Sequence, residues 1–205
     1  MSPAPIYTDH YSIEIGTQPI DLPIVALNDD LAIALLITVD VPLSFIDQAG
    51  VELAERLAPH RPEVVVTAAT LGIPVAWATA RALGLDTIVV LHKTPKIHLA
   101  DGLVEPLSSI TTAGEQALRL DRKRVPELAD RPVAFVDDVV STGGSAAAAM
   151  RLIEAAGGRM CVGGALAVEG TAWRETVSPH TATIESLGTL PVFRPVEGGW
   201  QPRFD

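Results

Sequence analysis

The chain has 205 residues, of which 48% are hydrophobic and 20% charged, enough apolar side chain for one compact core and too much for a disordered tail. Asp and Glu number 25 against 15 Lys and Arg, a formal charge of -10, which repels a nucleic-acid backbone and argues against nucleic acid as a partner. Cys161 is the lone cysteine, so neither an intrachain disulfide nor a multi-cysteine zinc site can form, and a reducing cytoplasm is the expected compartment. Met1 to Thr8 carries no basic and apolar signal pattern, and the apolar run Leu31 to Val39 is far short of the ~18 residues of a membrane helix.

Tyr11 to Val39 reads as three short extended runs, separated by Gly16, Pro19, Pro23 and the turn-prone Asn28-Asp29-Asp30. After Pro42 the spacing of Phe45, Ile46, Ala49, Leu53 and Leu57 predicts one face of a helix ending near Ala58. From Pro62 the order becomes strand (Val64 to Val66), helix (Leu71 to Leu83, stopped by Gly84) and strand (Thr87 to Leu91). Uninterrupted β-branched runs joined by a helix predict parallel strands covered on both faces, hence an α/β fold. Thr94 to Gly114 has no periodic pattern and is expected to be a functional loop. Order returns at Gln116 to Leu120, then come a charged turn and the strand Val133 to Val136. A polar turn from Asp137 to Ser145 and an Ala-rich helix to about Ala156 follow. Cys161 to Val168 and Thr181 to Leu187 are predicted strands, with a short helix at Thr171 to Val177 between them.

Asp137 and Asp138 stand at the C-terminal end of a buried strand, where open α/β sheets bind ligands. Two adjacent carboxylates repel by about 3 kcal/mol at ~5 Å and an effective dielectric of about 20, so a sugar diol or a divalent cation should compensate them. Ser141, Thr142, Gly143, Gly144 and Ser145 open a helix, and backbone N–H groups there converge on anions. Carboxylates beside a phosphate cradle suit a ribose diol with a 5′-phosphate. The plain alternative is a helix capped by Thr142, which explains neither the paired acids nor the two glycines. The histidines show no metal-ligand spacing. Trp77, among alanines, reads as core or subunit interface, and Arg122-Lys123-Arg124 as a solvated turn.

The segment Val133 to Ser145, four apolar residues, two acids, two apolar residues and Ser-Thr-Gly-Gly-Ser, resembles the phosphoribosyl-diphosphate motif of type I phosphoribosyltransferases. The resemblance runs from about Pro62 to Val192 and is closest to the adenine and xanthine branch. Thr67 to Gly72 is similar to that branch's pyrophosphate loop, Lys93 to its basic residue after the next strand, and Ala167-Val168-Glu169-Gly170 to its base-proximal segment. The resemblance implies a mostly parallel twisted sheet flanked by helices, with residues 1–60 as an N-terminal hood and leading helix and 61–205 as the core of one compact unit.

It further implies that Asp137 and Asp138 hold the ribose hydroxyls, with Mg2+ bridged by the substrate. Ser141 to Ser145 would hold the 5′-phosphate, and Ala68, Ala69, Thr70 and Lys93 the diphosphate. Val139, Glu169 and Gly170 would meet the base. Loop 94–114 would be a lid, offering Ser108 and Thr111 where adenine enzymes commonly carry Tyr and Glu. The implied activity joins a purine to phosphoribosyl diphosphate in a cytoplasmic homodimer. Adenine is expected before xanthine, and both before hypoxanthine or guanine, because Ser141 carries no carboxylate and Gly170 no cation. The alternatives are a biosynthetic transferase attaching adenine to another sugar-phosphate diphosphate, and a non-catalytic regulator that binds phosphoribosyl diphosphate.

Overall fold

The computed structural model describes residues 5–107, 116–180 and 183–205. In chain order it runs through β1 (His10–Ile15), β2 (Gln18–Asn28), β3 (Leu31–Ala34), α1 (Leu43–Leu57), β4 (Val64–Ala68), α2 (Gly72–Ala82) and β5 (Ile88–Leu91). There follow β6 (Leu103–Pro106), β7 (Ala117–Leu120), β8 (Pro132–Val140), α3 (Gly144–Ala155), β9 (Arg159–Glu169), α4 (Trp173–Val177), β10 (Ile184–Leu190), β11 (Val192–Val196) and β12 (Gly199–Arg203). Among the described residues no helix is long and apolar enough to cross a membrane.

The central layer is a parallel sheet in the order β10-β9-β8-β4-β5. Side chains alternate across a strand, and here each face has its own core. Val65, Ala134, Val136 and Leu166 pack with α1, α2 and the N-terminal strands. Val64, Val66, Val133 and Phe135 pack with α3, α4 and β7. Burial on both sides is why these strands read as continuous apolar runs. The five apolar positions expected to face inward on α1 are all buried, and its Glu52 accepts hydrogen bonds from the Thr17 amide and hydroxyl, tying the helix to the β1–β2 turn.

A second sheet, β1-β2-β3-β11-β12, is antiparallel throughout. It draws strands from both ends of the chain, on either side of residue 60. It curls until Tyr7, just before β1, exchanges two backbone hydrogen bonds with Trp200 on β12, which shields an edge. Tyr7, Tyr11 and Phe193 meet edge to face inside the curl.

Several sequence expectations are corrected. Pro19 and Pro23 lie within β2 instead of breaking it; the ladder continues around Pro23, whose carbonyl accepts from Leu35 while Ile24 donates to Asp9. The third extended run stops as a strand at Ala34. The expected loop from Thr94 holds a 3-10 turn (Ile97–Leu99) and β6, which pairs antiparallel with β7; that pairing bridges distant sequence and leaves no local periodic signal. Residues 108–115, with Ser108 and Thr111, lie outside the described residues, as do 181–182 at the expected start of β10. The strand from Val133 extends through Asp137 and Asp138 to Val140, because β9 pairs with it as far as Val168. Gly143, not Thr142, occupies the N-cap of α3, in a left-handed conformation with φ 80°. The hairpin β11–β12 was not anticipated from the sequence at all.

Candidate active site

Three adjoining cavities open at the C-terminal ends of β4 and β8, and Val139 lines all of them. The first, of about 130 Å³, is walled by the turn from Ser141 to Ser145. The left-handed Gly143 turns the chain into α3, and a Cβ there would meet Trp173 backbone at 3.1 Å. Amides of the first helical turn have no intrahelical acceptor, so this cavity presents N–H groups and the Thr142 and Ser145 hydroxyls to an anion.

The second cavity, of about 250 Å³, joins Ala68, Ala69, Thr70 and Lys93 to Asp137 and Asp138. Lys93 is carried out of β5, and its carbonyl accepts from the Arg119 guanidinium at 3.0 Å. The peptide between Ala69 and Thr70 is cis. Gly72, opening α2, packs so closely that a Cβ would lie 2.4 Å from both the Asp137 Oδ1 and the Thr67 Oγ1. Only glycine allows this approach of helix to strand.

Asp137 is buried, and its Oδ1 accepts the Asp138 amide at 3.1 Å. Burial raises its carboxyl well above the ordinary range; the charge of Asp138 and a hydrogen bond to it add to the rise, while Lys93 opposes it. In the ligand-free protein Asp137 is thus held toward its neutral form, and a cation or a hydroxyl donor would draw it toward the carboxylate. The two acids are hard oxygen donors, the ligand type that would suit Mg2+. Among the described residues no cluster of three His, Cys, Asp or Glu could hold a metal by itself.

The third cavity, also about 250 Å³, lies between Val139 and the second sheet. Leu27, Ile33, Leu35 and Leu36 contribute its apolar wall. Sequence reasoning missed these; the one available signal was the run Leu31 to Ile37, apolar on both alternating faces where a single core needs only one. Thr38 Oγ1 donates to the Leu71 carbonyl at 2.5 Å, fastening the segment after β3 to the loop before α2. Glu169, at the end of β9, is buried and accepts the Ser141 hydroxyl at 2.6 Å. Burial raises its carboxyl and the Ser141 bond opposes the rise. An acid therefore stands against position 141, carried there by β9.

Of the residues singled out from the sequence, Ala68, Ala69, Thr70, Lys93, Asp137, Asp138, Val139, Ser141 to Ser145 and Glu169 line this connected space. Gly170 does not line it: its amide donates to Leu190 and its left-handed φ of 56° turns the chain out of β9.

Residues 46–184 match the Phosphoribosyl transferase domain family. The chain is 34% identical over 108 residues to a xanthine phosphoribosyltransferase of Chloroflexus aurantiacus, covering 53% of this chain and 50% of that protein. It is 31% identical over 138 residues to an adenine phosphoribosyltransferase of Synechococcus, covering 66% of this chain and 73% of that one. The chain thus spans about half the length of the Chloroflexus relative. The crystal structure of adenine phosphoribosyltransferase from Thermoanaerobacter pseudethanolicus superposes with a TM-score of 0.60 at 22% identity, over 72% of this chain and 84% of that one.

Proposed function

Because the chain belongs to the Phosphoribosyl transferase domain family, we propose that it joins a free purine, adenine in the first place, to phosphoribosyl diphosphate and releases pyrophosphate. One observation carries this reading: the paired acids Asp137 and Asp138 sit between an amide-lined turn, a loop with a lysine and an apolar cavity, the three adjoining at Val139. Those compartments match, in order, a 5′-phosphate, a diphosphate and a flat base, with the ribose diol at the acids.

The chemistry is displacement at the anomeric carbon, in which positive charge builds on the sugar as the diphosphate leaves. The turn from Ser141 to Ser145 anchors the 5′-phosphate and fixes the sugar's position. Asp137 and Asp138 accept the ribose hydroxyls and face the developing cation with negative charge. Lys93 and the amides of Ala68 to Thr70 stabilise the departing diphosphate. When bound, Mg2+ held near Asp137 and Asp138 would neutralise diphosphate charge. Val139, Ile33 and Leu35 hold the base and keep water from the sugar.

Adenine is favoured because the base cavity is mostly apolar and, among the described residues, no Lys or Arg lines it, so the 2-oxygen of xanthine would be buried without a cation from them, at about 1–3 kcal/mol. The same reading makes the chain a cytoplasmic homodimer. The large apolar side chains Leu43 and Trp77, 83% and 60% exposed on α1 and α2, support a subunit contact. The test is pyrophosphate release with phosphoribosyl diphosphate and Mg2+ against four purines, with orotate as control. Release with adenine first is expected; release with orotate alone would overturn the purine reading.

A further inference from the structure

Among the described residues two side-chain oxygens are buried without a hydrogen-bond partner, the hydroxyls of Thr67 and Thr79. Thr79 stands about two turns along α2 from Gly72. Thr67 is the next-to-last residue of β4 and is 0% exposed. It lies two places after Val65, which packs with α2, so alternation along the strand turns its side chain to that helix as well. A Cβ on Gly72, the first residue of α2, would stand 2.4 Å from the Thr67 Oγ1 and 2.4 Å from the Asp137 Oδ1. Two oxygens at that distance from one point are at most twice as far from each other. A hydroxyl without an acceptor thus faces the carboxylate that the transfer needs in place.

Resting on the reading of phosphoribosyl diphosphate as the sugar donor, we propose that Thr67 is a positioning residue for Asp137, its hydroxyl donating to the Asp137 Oδ1 when that donor is bound. The Asp138 amide already holds Oδ1 at 3.1 Å, and a carboxylate oxygen has room to accept a second bond. Alignment on the ribose hydroxyls need carry Oδ1 through only part of the gap to bring it within O–H···O reach. The carboxylate is then fixed from two sides, by the backbone of β8 and by the side chain of β4. Gly72 permits the meeting, since a Cβ there would press on both oxygens.

Thr67 lines none of the three cavities, so it touches neither donor nor base and acts through Asp137. Two effects of opposite sign follow. In the free protein the unpartnered hydroxyl is a cost to folding, which valine, of the same branched shape, would not carry. In the complex the same hydroxyl supplies a charge-assisted bond, which valine cannot replace. Stability and donor affinity should therefore part company when the hydroxyl is removed, whereas a side chain that served packing alone would lower both together.

The experiment measures Tm, calorimetric Kd for phosphoribosyl diphosphate with Mg2+, and KM for adenine in the parent, Thr67→Val, Thr67→Ser and Thr67→Ala. Thr67→Val is expected to keep or raise Tm yet weaken donor Kd about tenfold or more. Thr67→Ser, which keeps the hydroxyl and loses the methyl, should lower Tm and hold donor Kd within about threefold of the parent. Thr67→Ala should bind the donor as weakly as the Val variant, and its comparison with Ser isolates the hydroxyl even if the Val variant does not fold. Adenine KM should stay within about twofold throughout. A Val or Ala variant with the parent's donor Kd overturns the inference. So does a Ser variant as weak as Ala, which would mark packing by the methyl, or an adenine KM that rises as far as donor Kd, which would mark a general distortion. A parent that does not bind phosphoribosyl diphosphate overturns the donor reading and this inference together; a binding parent indifferent to the hydroxyl overturns this inference alone.

Discussion

Replacing Gly72 by alanine tests whether the close approach of α2 to β8 is what holds Asp137 in place. The added Cβ would stand 2.4 Å from the Asp137 Oδ1 and the Thr67 Oγ1, and 3.3 Å from the Asp137 Cα. That is about 1 Å inside ordinary contact. Both oxygens are on buried residues, so neither side chain can swing away freely, and Asp137 must shift or α2 must lift. Overpacking of this kind costs about 1–3 kcal/mol. Alanine's better helix propensity returns less than the ~1 kcal/mol of a helix interior, because Gly72 is the first residue of α2. A net loss of about 1–2 kcal/mol should lower Tm by roughly 2–8 °C in a chain of this size. Displacing Asp137 also forfeits a charge-assisted hydrogen bond to the ribose, about 1.5–3 kcal/mol, or roughly tenfold to a hundredfold in donor Kd. Thermal unfolding and calorimetric titration with phosphoribosyl diphosphate and Mg2+ measure both. A Gly72→Ala variant matching the parent in Tm and donor affinity would show that the contact constrains nothing.

Other consequences follow from the same geometry. Asp137→Asn should weaken donor use by about tenfold or more in kcat/KM, yet leave folding stability at high pH equal to or above the parent's. The sign follows from the raised folded-state pKa of Asp137: its contribution is fully present below the unfolded value, about 3.9, and is lost as pH rises through the folded one, a loss asparagine does not suffer. Urea unfolding at two pH values reads this. Donor binding that ionises Asp137 should release a proton, seen as a dependence of binding enthalpy on buffer, and donor affinity should fall as pH drops through the raised value; equal enthalpies across buffers would place Asp137 outside the linkage. Ile33→Ala, removing part of the third cavity's wall, should raise KM for adenine several-fold with donor Kd unchanged, measured by steady-state kinetics and titration; a change in the donor alone would assign that cavity elsewhere.

The parallel core was legible because its inner strands β4 and β8 are buried on both faces, so Val64 to Val66 and Val133 to Val136 announce themselves as short apolar runs. The acids and the glycine turn were legible because one short segment carries both. What stayed hidden is what depends on distant pairing. Leu103 to Pro106 joins β7 across residues that carry no shared pattern, and Val192 to Arg203 completes a sheet begun near His10. The far wall of the third cavity comes from β3 and the residues after it, where nothing in the sequence separates a cavity wall from core. Ser141 gave no hint of an acid, because its partner Glu169 lies 28 residues along the chain and meets it only when β8 and β9 lie side by side.

The central claim is tested most directly by identifying both products of one incubation. Adenine and phosphoribosyl diphosphate are mixed with the chain and Mg2+, and nucleotide and pyrophosphate are quantified together by chromatography over time. Adenosine monophosphate and pyrophosphate appearing in equal amounts, and neither appearing with Asp137→Asn and Asp138→Asn combined, is the predicted result. Phosphoribosyl diphosphate left intact with every purine, although the folded chain binds it, would contradict transfer and leave a binding protein in its place.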